Sequence, residues 1–247
     1  MKKMVTYEIR NILGNPFIPF FGMLFPILML FIITKAVAAE VPAQMEAEAN
    51  TSVFITMSLI IPMAVTLIGY AATYAQELEK GIPMRMKLFG FTEKRMLSAR
   101  ILAQLLVVTA GLILYTAVGY LFLDLLVPRL SSAVCLVVCL YISGVIFVVL
   151  GHGLATFFGK FGPTYAVVML CYFGIMMLCG MMGIQVDQLP DILQKAAYLL
   201  PMSYISSDFI DFWQKGSYNY MPLVQAFLFL GAVSGVLLLI SIKRGRR

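Results

Sequence analysis

The sequence predicts an all-α polytopic membrane protein with six transmembrane helices, and three observations carry that prediction. Of 247 residues, 61% are hydrophobic and only 12% are charged, with a mean hydropathy of +0.93; a soluble domain carries about 25% charge. Second, six stretches contain no Asp, Glu, Lys or Arg at all: 11–34, 49–76, 101–123, 130–159, 161–186 and 216–242. A helix crosses a bilayer in roughly 20 apolar residues, so each stretch is long enough to span once and too short to span twice. Third, the basic residues alternate between loops. If both termini and the alternate loops lie on one side, that side holds 14 of the 18 Lys and Arg and four of the 12 Asp and Glu, a charge of 14 − 4 = +10; the other side carries 4 − 8 = −4, and the two sum to the net +6. Basic loops face the cytoplasm, so both termini are expected there. These counts exclude a soluble enzyme, a disordered chain and a nucleic-acid-binding domain. The pI near 9.1 reflects short juxtamembrane segments, and the basic tail Lys243-Arg244-Gly245-Arg246-Arg247 reads as a topology anchor beside anionic lipid.

Taken in order, residues 1–15 read as a short amphipathic helix at the cytoplasmic interface, broken by Asn15-Pro16. The first span covers Phe17 to Ala38 with Pro19 and Pro26 inside it. Its apolar run is too long, and too far behind Lys2-Lys3, for a cleaved leader. An acidic outer loop, 39–50, leads to a second span from Ser52 to Gln76. The cytoplasmic segment 77–97 follows, with a helix ending near Lys80, a new short helix opened by Pro83 and closed by Gly90, and the third span from about Arg95. A tight outer turn at 124–131 and a tighter inner one at 159–163 flank the fourth span, and the fifth is expected to end near Gln185. Residues 186–219 carry too much charge to span and too much Leu, Ile, Phe and Trp for a free loop. They read as a re-entrant outer hairpin of two short helices, with Trp213, Tyr218 and Tyr220 in an aromatic belt. A sixth span, Met221 to Ile242, completes a single domain over 1–247.

The spans contain few reactive side chains. Cys135, Cys139, Cys171 and Cys179 all fall within them, where free Cys behaves as a small hydrophobe. His152 is the only histidine; flanked by Gly151 and Gly153, it reads as a neutral imidazole bonded across a close helix contact, with a proton relay as the alternative. Met176, Met177, Met181 and Met182 suggest, in order, ordinary packing, an adaptable surface for a hydrophobic substrate, and a soft Cu(I) site. No metal site is expected, and no catalytic constellation can be assembled.

Three local patterns resemble the permease subunits of type-2 ABC exporters. Glu77, Glu79, Lys80, Gly81, Arg85, Thr92 and Arg100 stand at that family's spacings after the second span, with Ile82 and Gly90 replacing its usual Thr and Pro. Pro190, Leu200-Pro201, Tyr204, Asp208 and Gly216 look like its outer hairpin, and Arg10, Asn15-Pro16 and Pro26 are similar to its charged first helix, Pro break and first-span proline.

The resemblance implies an ATP-driven exporter subunit in a bacterial plasma membrane, with the 77–100 segment as a coupling helix that docks on an ATPase and Glu77, Glu79, Lys80, Gly81, Arg85 and Lys87 as its coupling residues, salt-bridging or beside the hinge. No G-x-x-x-x-G-K-S/T motif is present, so ATP and Mg would be bound by separate nucleotide-binding subunits and no cofactor by this chain. A second copy or a related permease would complete the path. An apolar path favours hydrophobic or amphipathic cargo such as an antibiotic, an antimicrobial peptide or a lipid. The rival readings are an ATPase-independent secondary transporter or channel, disfavoured by charge-free spans, and a membrane sensor or anchor that binds a soluble partner through 77–100.

Overall fold

The computed structural model describes residues 2–245, so Arg246 and Arg247 of the basic tail lie outside the described residues. Among them every regular element is helical. Helix α1, Lys2–Gly14, precedes the first span α2, Phe17–Ala38. The second span α3, Ala43–Glu79, is followed by the short α4, Ile82–Leu88. Then come α5, Glu93–Phe122, α6, Leu130–Phe158, and α7, Phe161–Leu178. Two short helices, α8, Asp191–Ala197, and α9, Pro201–Lys215, lead to the last span α10, Tyr220–Gly245. Six of these helices are long and apolar enough to cross a membrane.

Two boundaries differ from the sequence reading. The acidic segment begins the second span instead of looping: Glu46 and Glu48 sit in the first turn of the helix, where carboxylates favour the exposed N–H groups. The fifth span ends at Leu178 and not near Gln185, because Gly180 and Gly183 adopt φ of +77° and +88° and turn the chain. That turn contains no charge, so the charge-free run continues through it.

Span α3 is the axis of the bundle. In its most apolar window 89% of residues are buried within the chain, against 22–44% in the other five spans. It packs on α2, α5, α6, α7 and α9. Both α2 and α3 change helical register after a proline. After Pro19, residues Phe20–Leu24 widen into a π turn, and after Pro62, residues Met63–Gly69 do the same. Proline lacks the N–H that continues the α ladder and its ring crowds the preceding turn, so the backbone re-registers. Thr66 donates its hydroxyl to the Pro62 carbonyl at 2.6 Å.

The two widened turns meet face to face through glycine. A Cβ on Gly22 would lie 2.6 Å from Val65 Cγ2, one on Gly69 2.9 Å from Ile18 Cδ1, and one on Gly111 of α5 3.3 Å from the Gly22 carbonyl oxygen. Such small-residue contacts let three spans approach closely. Val65 is stiff at χ1 and fully buried, so Gly22→Ala should destabilise the detergent-solubilised protein by about 1–3 kcal/mol, with Val65→Ala restoring part of the loss. An unshifted melting temperature for Gly22→Ala would contradict this packing.

Candidate functional site at the basic end

Charged groups buried where α1, α3 and α5 converge form the core of the site. On α1, Val5, Glu8 and Ile12 share one buried face, which packs with Ala99, Ala103 and Val107 of α5. The amphipathic face of α1 therefore lies on protein. Glu77 occupies the last turn of α3, and Arg100 lies in α5. Arg100 donates from Nε to Glu8 Oε1 at 3.1 Å and from Nη2 to the Glu77 carboxylate. Asn11 Nδ2 donates to Glu77 Oε1 at 3.1 Å, so α1 holds Arg100 through Glu8 and Glu77 through Asn11. All three charged residues are buried, each exposing 6% or less.

The contacts continue into α6. The Arg100 guanidinium lies 4.9 Å above the Tyr74 ring, and Tyr74 stacks on His152 with centroids 4.6 Å apart. Tyr70 Oη lies 2.7 Å from His152 Nδ1. Gly151 packs on Ala71 of α3 and Gly153 on Leu238 of α10, so His152 is held in a close helix contact and bonded across it. Two carboxylates share one guanidinium here. Burial raises the pKa of Glu8, and the neighbouring Arg100 charge pulls it only part of the way back.

Helix α4 hangs from this cluster. Gly81 takes φ +65° between α3 and α4, a left-handed conformation that glycine adopts without Cβ strain. Arg85 Nη2 donates to the Lys80 carbonyl at 2.6 Å, fastening α4 to the end of α3. Gly90 closes the segment with φ +84°. Met84 and Leu88, one helical turn apart, and the adjoining Phe89 expose 67%, 82% and 82% of their surface, beside the exposed Arg85 and Lys87. Glu79 accepts the Phe161 N–H at 3.1 Å, so the turn between α6 and α7 is also tied to the end of α3.

Of the residues proposed to dock on an ATPase, Glu79, Lys80, Arg85 and Lys87 are exposed and Gly81 forms the turn. Glu77 does not reach that surface. Two residues along a helix differ by about 200° in direction, so Glu77 points into the bundle when Glu79 points out. Reversing its charge would break the buried cluster before it altered a docking surface.

A family model described as "ABC-2 family transporter protein" matches residues 32–243. The chain belongs to this family. The match leaves out α1, residues 17–31 of α2 and the last four residues. No curated protein matches the chain at the sequence level. As an ABC-2 permease this chain is a multi-pass membrane protein, and its six apolar helices agree with that.

At the other end of this ABC-2 permease, α8 and α9 stand where the outer hairpin is expected. Exposed Pro190 caps α8, Pro201 opens α9, and Gly216 at φ +75° ends it. Arg129 fills the space beside Gly216, where a Cβ would meet Nη1 at 2.7 Å. Tyr204 packs on Tyr198 with centroids 5.5 Å apart, and exposed Asp208 accepts the Ser207 hydroxyl. Trp213 is not in an outward belt: it is buried and donates to the Leu126 carbonyl at 2.9 Å, locking α9 to the turn between α5 and α6. The four methionines do not form one surface. Met176 and Met181 are buried in the core, whereas Met177 and Met182 are exposed, and the last two of the four lie beyond the end of α7.

Sequence reasoning missed Glu8, Asn11, Tyr70 and Tyr74, and read Arg100 only as part of a pattern. The spacing of Val5, Glu8 and Ile12 was the available signal, since it sets a carboxylate on an apolar helix face.

Proposed function

We propose that this chain is the transmembrane subunit of an ATP-driven exporter, paired with a second permease and energised by separate ATPase subunits that dock on α4. The observation that carries this reading is the apolar tip Met84, Leu88 and Phe89 at the end of a short helix that Arg85 fastens to α3 and the Gly90 turn joins to α5. Exposed large apolar residues grouped on a polar rim mark an interaction site. Helix α4 follows α3, the most enclosed span, across the Gly81 turn, and its other end leads into α5. A push on α4 would be carried by packed helices into the centre of the bundle, a rigid-body step of the kind that switching proteins use. The basic end would face the cytoplasm, with both termini there.

A cavity of about 390 Å³ at the opposite end supports amphipathic cargo. Ser52, Thr56, Gln185 and Ser206 line it beside Ile33 and Met57, so polar and apolar groups converge on one space between α2, α3 and the hairpin. Reconstituted with its ATPase, the protein should show ATP hydrolysis that rises severalfold with a hydrophobic or amphipathic substrate. Hydrolysis indifferent to every antibiotic, cationic peptide and lipid tried would count against this substrate class, and failure of any ATPase to associate would count against the exporter reading itself.

A further inference from the structure

A second cavity lies at the basic end beside Arg100, with neither Glu8 nor Glu77 in its lining, and neither the transport path nor the docking tip uses it. It measures about 600 Å³. Lys87 of α4, Lys94 and Arg100 of α5, and His152 and Thr156 of α6 line it, and Leu97, Leu238 and Ile242 form its apolar wall. Among the described residues the lining contains three basic residues and no Asp or Glu. Thr156 Oγ1 is buried with no hydrogen-bond partner, which leaves a hydroxyl ready to donate.

We propose that this cavity binds an acidic phospholipid of the leaflet at the basic end, with its phosphate at Lys94 and Thr156 and an acyl chain along Leu97, Leu238 and Ile242. Three features select that occupant. The charge is complementary to a phosphate, and basic pockets between spans hold acidic head groups. The wall formed by α5 and α10 is apolar: Leu97 and Ile242 expose 38% and 39% of their surface, which a soluble anion would leave uncovered. Arg100 is already neutralised by Glu8 and Glu77, so discrimination between head groups falls to Lys94. Because Pro83 and Lys87 of α4 also line the cavity, the lipid would touch the docking helix and three spans at once.

The test is native mass spectrometry of the full chain in detergent, supplied with phosphatidylglycerol and phosphatidylcholine in equal amounts. Wild type should retain phosphatidylglycerol in preference by about fivefold or more. Lys94→Gln should cut that preference about fivefold, and Thr156→Val should lower it too, with the melting temperatures of both variants unchanged. Arg246→Gln/Arg247→Gln, which alters only the tail, should bind as wild type does. Equal retention of the two lipids, a preference intact in Lys94→Gln, or loss in the tail variant alone would overturn the site. Displacement of phosphatidylglycerol by an equal concentration of glycerol 3-phosphate would reassign it to a soluble anion and overturn the lipid.

Discussion

Arg100→Ala is expected to cost about 3–5 kcal/mol and to leave little folded protein in the membrane, because it strands two buried carboxylates. Glu8 and Glu77 each expose 4% of their surface and have Arg100 as their shared cation. Removing it leaves like charges together in a dry site, and the contact of α1 with the rest of the bundle goes with it. The loss belongs to breaking the cluster and not to lacking ions. Replacing all three members, as Glu8→Gln/Glu77→Gln/Arg100→Met, should therefore restore stability to near the wild-type level, since a buried ion cluster exchanged for neutral groups of similar volume is commonly neutral or stabilising. Thermal unfolding of the purified variants separates the two cases. Equal destabilisation of the single and triple variants would show that the charges matter for their shape alone.

Within the cluster, Glu8→Gln should be tolerated best. The folded state holds the Glu8 proton more tightly than the unfolded chain does. A carboxyl of raised pKa contributes stability below its unfolded pKa and loses it as pH rises through the folded value. Above that range Glu8→Gln should match or exceed wild type, and its advantage should vanish on acidification. A variant less stable than wild type at pH 8 would reverse the assigned balance between burial and the Arg100 charge.

Leu88→Asp/Phe89→Asp should abolish ATP-driven transport with little change in melting temperature. Both side chains expose 82% of their surface, and exposed substitutions ordinarily shift stability by within about 0.5 kcal/mol. At an interface the same carboxylates would be buried unpaired, so association with an ATPase should fall by at least a hundredfold, on the order of 3 kcal/mol. Met84→Asp should act in the same direction. Full transport by the double variant would remove α4 from the energy pathway. These substitutions are sharper probes than Glu77, whose burial couples any docking effect to the fold.

Most of the architecture was readable from charge alone, because the bilayer's thickness sets both the length of each run and the exclusion of ions within it. The first span matches its expected bounds, and the glycines at 81 and 90 with Pro83 outline α4 correctly. Charge says nothing about where an apolar helix turns, so the end of α7 at Leu178 was invisible behind a run that continues to residue 186. The cluster was hidden for a different reason. Glu8, Glu77 and Arg100 belong to segments that, read singly, place them at a membrane surface; their pairing is set by the rotation of three helices about their axes. Trp213 and the split among the methionines have the same origin, since composition names the residue type and packing chooses which side faces in.

The most direct test of the coupling account is site-specific photocrosslinking from position 88 in native membranes. With a photoreactive residue in place of Leu88, the adduct should be a polypeptide that contains the G-x-x-x-x-G-K-S/T motif, and its yield should change with ATP. The same probe in place of Ile192, exposed on α8 at the opposite end, should give no such adduct. An adduct of equal yield from both positions, or none from position 88 to any ATPase, would contradict docking through α4.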